Sequence, residues 1–381
     1  MTPATVRRWL KKGLIPVFKG SWTPAVAAHV RMVARMRERG HSLAEIKLAS
    51  ERGELAPGYI EELLPPNSPT YDIGEAAQRT GLPAETIERI ATALGIGGLD
   101  TGRLTAGDVE MLSYYSALLA AGMPLEALLQ LARVYGLAFS QIADAEVRLV
   151  HLYVHEPLMQ EGVSAAEIAE QMEGLTRATL PFATPIMDYL HGRYLRHFIE
   201  QDLIGHMEGE NATGGHELGR MHVALAFADL SNYTRLTEER GEQAAVQAVE
   251  RFVNAVQRTL PVGARIAKML GDGVMVVGAD PAALTEWAVD FLAQVPDHVP
   301  PPRIGIHCGE VLYRDGDYFG REVNRAARVM AKAAGGEVLV TKPVVEAAER
   351  SDTLRFEALG AVGLKGFSRP IELYRARIAE G

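Results

Sequence analysis

The chain has 381 residues, 48% of them hydrophobic and 23% charged, with a net charge of −9. This balance excludes a disordered chain and leaves room for two or three domains with cores of their own. The single cysteine, Cys308, excludes an internal disulfide and points to a reducing, cytoplasmic setting. No apolar run reaches the roughly 18 to 20 residues of a bilayer span, and no apolar signal core follows Arg7, Arg8, Lys11 and Lys12, so no membrane association is expected.

Residues 1–60 hold eleven Lys and Arg against four Glu, a net of +7 that leaves −16 for the remainder. A basic, helical opening raises the question of nucleic acid. It reads Thr5-Val6-Arg7-Arg8-Trp9-Leu10-Lys11-Lys12-Gly13-Leu14-Ile15-Pro16, then Ser21-Trp22-Thr23, then Arg37-Glu38-Arg39-Gly40-His41-Ser42-Leu43-Ala44-Glu45-Ile46. This order resembles the winged helix-turn-helix of MerR-type regulators. A second copy follows about 82 residues later: Thr23, Gly40 and Leu43 correspond to Thr105, Gly122 and Leu125, and Pro3-Ala4 to Pro83-Ala84. The two units are expected over 1–60 and 70–136. The second has an opening helix at 71–80 before its turn at Gly81, whereas the first helix of the first copy would lie upstream of Met1 or has been lost. Glu85 and Glu88 in the reading helix of the second copy would repel phosphates, which makes it a protein-interaction module. The charge of the first copy permits DNA binding, but a helix-turn-helix without its first helix is poorly braced, and a solvated basic face is the plainer reading.

Residues 137–207 continue as amphipathic helices. Across this half, helices are predicted at 110–121, 125–135, 139–153, 164–173 and 185–203, broken at Gly136, Pro157, Gly162 and Pro181. A linker at 208–219, with Gly209, Gly214, Gly215 and Gly219, leads onward. Seven of the eleven histidines (His151, His155, His191, His197, His206, His216 and His222) fall between 151 and 222, where a proton effector could act. The apolar helix faces could also take a small-molecule effector, although a plain core explains them equally.

The last region, 220–378, mixes strands and helices. The apolar run 223–228 reads as a buried strand ending in Asp229. Asp272 sits in Leu270-Gly271-Asp272-Gly273 between two further apolar runs, as in a tight hairpin. In a βαββαβ sheet the first and third strands are antiparallel neighbours, so the two carboxylates would face one pocket. A helix cap for Asp229 and a turn residue for Asp272 are the plainer alternatives. Asn324 and Arg328 are four apart and should share a helix face.

Taken in order, Asp229, Lys268, Asp272, Asp317, Asn324 and Arg328 resemble the polar residues of class III nucleotidyl cyclases, which convert a nucleoside triphosphate to a 3',5'-cyclic monophosphate and pyrophosphate. The resemblance implies a ferredoxin-like α+β catalytic domain behind an all-α regulatory half with winged-helix, MerR-like units. It implies two Mg²⁺ or Mn²⁺ ions per site, held by Asp229, Asp272 and the backbone carbonyl of Leu230. Lys268 as donor and Asp317 as acceptor match the N1 and N6 edge of adenine, which favours ATP over GTP; Asp315 is a nearby alternative acceptor. The resemblance gives Asn324 the ribose, Arg328 the building phosphoryl charge and Lys365 the triphosphate. It further implies a head-to-tail homodimer in which one chain holds the metals and the other supplies the base reader, Asn324 and Arg328. The alternative in another class is a DNA-binding or scaffold regulator with a catalytically silent, nucleotide-sensing cyclase domain.

Overall fold

The computed structural model describes residues 2–15, 24–55, 70–96, 103–207, 219–295 and 300–379. Pro16, the Ser21-Trp22-Thr23 segment, linker residues 208–218 and His216 lie outside the described residues. The chain divides into two compact units, Met1–Arg196 and His197–Gly381.

In the first unit, α1 (Pro3–Lys11), α2 (Pro24–Glu38) and α3 (Leu43–Glu51) precede a short strand β1 (Thr70–Tyr71). Next come α4 (Ile73–Thr80), α5 (Ala84–Leu94), strand β2 (Leu104–Thr105), α6 (Ala106–Ala120) and α7 (Leu125–Val150). Asp72 caps α4 in a reciprocal box with Glu75, which starts the helix at 73. β1 and β2 pair antiparallel, so this half carries a two-stranded ribbon and is not purely α. The internal repeat is present in three dimensions: α5, α6 and α7 begin 81, 82 and 82 residues after α1, α2 and α3. Their cores correspond as well. Trp9, Val30, Val33 and Ile46 are buried together in the first copy, and Ile90, Leu112, Tyr115 and Leu128 take the matching places in the second.

Three predicted helix breaks are absent, and at Pro157 the helical backbone continues from α7 through a π turn to Gln160. α7 runs through Gly136, because that glycine serves contact and not termination: a Cβ there would stand 2.3 Å from the Leu94 carbonyl oxygen at the end of α5. Pro181 and Pro185 lie inside α9 (Ala165–Met207), which continues through both. Before it, a π-helical turn (His151–His155) and α8 (Glu156–Gln160) end at Gly162. No described helix is long and apolar enough to cross a membrane.

The second unit is built on an eight-stranded sheet. Its strands are β3 (Arg220–Leu230), β4 (Arg265–Leu270), β5 (Gly273–Gly278), β6 (Pro302–Arg314), β7 (Asp317–Phe319), β8 (Val338–Thr341), β9 (Leu354–Val362) and β10 (Ile371–Ile378). They lie in the order β4-β5-β3-β6-β8-β10-β9, with β7 on β6. The first four strands form an antiparallel βαββαβ core: α10 (Tyr233–Arg240) and α11 (Glu242–Thr259) link β3 to β4, and α12 (Pro281–Ala293) links β5 to β6. Alternation along β3 sends Ala224, Ala226 and Ala228 to a core with Phe252 of α11 and Trp287 of α12. Val223, Leu225 and Phe227 point the other way, toward Val323 and Ala326 of α13 (Arg321–Met330). Burial on both faces explains why this strand reads as an unbroken apolar run. α14 (Lys342–Ala347) follows β8.

Candidate active site

Asp229 is the last odd-numbered position of β3 and so shares the α13 side of the sheet with Phe227. Its register partner on β5 is Gly273, and the Leu230 amide donates to the Asp272 carbonyl at 3.4 Å. The hairpin of β4 and β5 therefore brings Asp272 against Asp229. Gly273 is required at this contact, since a Cβ would lie 2.8 Å from the Ala228 carbonyl and 3.1 Å from Asp229 Oδ1. Burial first, and then the neighbouring Asp229 charge, push the Asp272 carboxyl above its ordinary range. On the other side of β3, Arg303 of β6 is the cross-strand partner of Asp229. Its Nε and Nη2 donate to Asp229 Oδ2 at 3.0 and 2.5 Å.

Lys268 of β4 and Asp317 of β7 meet directly. The ammonium donates to Asp317 Oδ1 at 2.9 Å and Oδ2 at 2.6 Å, and the Tyr318 amide holds Oδ1 at 2.7 Å. Lys268 thus takes Asp317 and not Asp315, which sits in the turn at φ 52°. Asn324 and Arg328 lie on the exposed side of α13, opposite the buried Val323, Ala326 and Val329. Lys365, also exposed, lies in the loop between β9 and β10. Among the described residues no hydrogen bond or ion pair joins Asn324, Arg328 or Lys365 to the carboxylates. The single chain therefore assembles two pairs, Asp229 with Asp272 and Lys268 with Asp317, and leaves three polar groups facing outward.

The donor set fits a divalent cation that keeps water and substrate oxygens in its shell. No cluster of three or more His, Cys, Asp or Glu side chains able to hold a metal occurs among the described residues, so a closed protein cage is absent. Two adjoining carboxylates, one of them strained as an anion, call for positive charge, and Arg303 supplies it to Asp229 here. The sequence reading missed Arg303. A lone charge at the head of the apolar strand Pro302-Arg303-Ile304-Gly305-Ile306 was its only signal, and the partner became visible only with the strand register.

A family described as the adenylate cyclase regulatory domain matches residues 16–199, and one described as the adenylate and guanylate cyclase catalytic domain matches residues 219–376. A Mycobacterium tuberculosis protein (strain H37Rv), described as uncharacterized, is 30% identical over 356 residues, covering 89% of this chain and 88% of its own length. The chain belongs to the adenylate and guanylate cyclase family. It is an adenylate cyclase with a mixed α+β catalytic fold and a helical N-terminal half that contains the regulatory domain. The cyclase is similar to the pH-sensitive adenylate cyclase of Mycobacterium tuberculosis strain CDC 1551, with 26% identity over 361 residues, 93% of this chain and 89% of that one. It is also similar to an adenylate cyclase of Streptomyces coelicolor, at 28% over 282 residues, 72% of this chain and 71% of the relative. The solved adenylyl cyclase CyaB from P. aeruginosa aligns over 42% of this chain and 95% of that chain, with 24% identity and a TM-score of 0.38.

Proposed function

We propose that the cyclase converts ATP to 3',5'-cyclic AMP and pyrophosphate at a site shared between two copies of the chain, under control of its N-terminal half. The observation that carries the ATP reading is the Lys268–Asp317 pair, a donor and an acceptor held side by side at 2.6 Å. Lys268 would donate to adenine N1 and Asp317 accept from N6. In the reaction the ribose O3' bonds to the α-phosphorus, the bond from that phosphorus to the oxygen bridging the β-phosphorus breaks, and the 3'-hydroxyl proton is lost. Mg²⁺ or Mn²⁺ ions bound by Asp229, Asp272 and the Leu230 carbonyl would supply activation of the hydroxyl and neutralisation of the phosphates. Arg303, once released from Asp229, becomes available to a phosphate oxygen. Asn324 would orient the ribose, Arg328 would stabilise charge as it builds on the phosphoryl oxygens, and Lys365 would bind the triphosphate.

Outward-facing Asn324 and Arg328 support a second chain completing the site. A cavity of about 750 Å³ lined by Leu236, Phe252 and Phe291 also touches Leu230 but contains none of the six polar residues, which supports the open face as the place for the proposed chemistry. The shared site is tested by mixing Asp229→Ala chains with Arg328→Ala chains, each inactive alone. Mixing should restore cyclic AMP production from one working site per heterodimer, and continued silence would exclude a shared site.

The two N-terminal modules read as MerR-like units, a reading supported by the α4–α5 turn and the β1–β2 ribbon. Of the two effectors read for this half, a small molecule or the proton, we propose the proton. The pH-sensitive relative supports it, as does one contact: buried His155 places Nδ1 at 3.2 Å from His151 Nδ1 and Nε2 at 2.9 Å from the Gly53 carbonyl.

A further inference from the structure

Three alternating positions on β6, Gly305, His307 and Gly309, face α13, the helix that carries Asn324 and Arg328. At the far end, a Cβ on Gly305 would stand 2.0 Å from the Met330 amide nitrogen, so helix and strand backbones touch there. At the near end, a Cβ on Gly309 would crowd Glu322 Cγ at 3.1 Å and His307 Nε2 at 3.3 Å. Between the glycines sits a buried imidazole with both nitrogens engaged. His307 Nε2 lies 2.5 Å from Glu322 Oε2, and Nδ1 lies 2.7 Å from Thr341 Oγ1. Glu322 also accepts from Arg325 Nη1, and the Arg325 and Arg321 guanidiniums lie 5.4 and 5.2 Å from the centre of the Phe367 ring.

The chemistry of the partners sets the protonation. Glu322, ion-paired to Arg325, can only accept, so Nε2 carries the hydrogen and Nδ1 accepts from the Thr341 hydroxyl. Burial lowers the His307 pKa, outweighing the pull of Glu322 in the other direction, and Arg325 and His222 lower it further, so the ring stays neutral. The result is a closed set: one neutral imidazole, one carboxylate, one guanidinium. None of these groups has a role in the proposed chemistry.

We infer that His307 and Glu322 are positioning residues, which fix the roll of α13 on the sheet and thereby aim Asn324 and Arg328 at a substrate whose metals the other chain holds. Glu322 lies two positions before Asn324, about 200° around the helix, so the clamp grips one side and the polar pair leaves from the other. A roll of about 20° would swing a group at the outer radius of a helix by about 2 Å. A misplacement of about 1 Å can already cost roughly a hundredfold in rate. The inference rests on the shared-site reading above.

The test uses full-length chains in the complementing mixture. With Asp229→Ala on one chain and Arg328→Ala on the other, the working site draws its α13 from the Asp229→Ala chain alone. His307→Ala placed on that chain should lower kcat roughly ten- to a hundredfold and leave the KM for ATP within about threefold, because Lys268 and Asp317 lie off the helix. The same change placed on the Arg328→Ala chain should leave the mixture as active as before. Equal losses from both placements would reduce His307 to a general brace and overturn the inference, as would no loss from either. Glu322→Gln, which keeps the shape and loses the charge, repeats the comparison if His307→Ala fails to fold, and His307→Gln, whose amide can still donate to Glu322, should recover most of the rate. If the parent mixture itself shows no recovery, the shared site is wrong and the inference falls with it.

Discussion

Arg303 holds Asp229 across the β3–β6 ladder with two donors on one carboxylate oxygen, at 3.0 and 2.5 Å. The arrangement sets a guanidinium on the carboxylate proposed above as a metal ligand. A divalent ion must compete with this guanidinium for Oδ2. Arg303→Gln should therefore tighten Mn²⁺ binding in the absence of nucleotide by about tenfold, about 1.4 kcal/mol, in a calorimetric titration. The same variant should bind ATP more weakly through loss of a phosphate partner. Unchanged Mn²⁺ affinity would remove Arg303 from the site.

Asp272, a proposed metal ligand, is held where its anion is disfavoured. Its carboxyl is raised above the ordinary value of 3.8, by burial first and then by the Asp229 charge. A group whose folded pKa is raised contributes stability below its unfolded value and loses that contribution as pH climbs through the folded one. Asp272→Asn should thus be inactive yet melt higher than the parent at neutral pH, by roughly 2 to 4 °C per kcal/mol of strain relieved. The gap should close as pH falls toward 3.8. Thermal melts across that range check the sign, and a lower melting temperature at pH 7 would contradict it.

On the reading proposed above, base choice rests on the polarity of one pair. Lys268→Glu replaces the donor to N1 with an acceptor and sets two carboxylates, 268 and Asp317, side by side. The ratio of kcat/KM for ATP over GTP should fall at least roughly tenfold, since a well-placed base contact decides about 1 to 3 kcal/mol. Assays with both triphosphates give the ratio directly, and an unaltered ratio would place base reading elsewhere.

His151 and His155 share one hydrogen bond between ring nitrogens 3.2 Å apart, which needs one donor and one acceptor. The same His155 ring holds the Gly53 carbonyl through its other nitrogen. With His155→Gln, the difference between cyclase activity at pH 6 and pH 8 should shrink at least about threefold relative to the parent. A pH profile identical to the parent would take the proton sensor away from this pair.

Much of the candidate site was legible because the proposed chemistry is carried by residue type and order. The apolar run before Asp229, the glycine-flanked Asp272 and the four-residue step from Asn324 to Arg328 depend on local periodicity, and the structure places each on the strand end, hairpin and helix face read for it. Residue matches at a fixed offset carried the N-terminal repeat, and the structure added the matching core positions. Helix ends were less legible. Gly136 and Pro181 look like breaks, yet α7 and α9 continue, because a glycine can serve a close helix contact and a proline can be absorbed by a long helix whose remaining bonds are made.

The sequence by itself determined the family, the mixed strand-and-helix character of the last region, the two neighbouring carboxylates and Lys268 as a donor, since each is written in neighbouring residues or in a one-dimensional order of types. Only the tertiary structure decided that Arg303 neutralises Asp229, that Lys268 chooses Asp317 over Asp315, and that His307 grips Glu322. Those partners lie 74, 49 and 15 positions apart. Strand register and helix packing bring them together, and both are set by burial of apolar faces over the whole sheet, a sum that no short window of sequence contains.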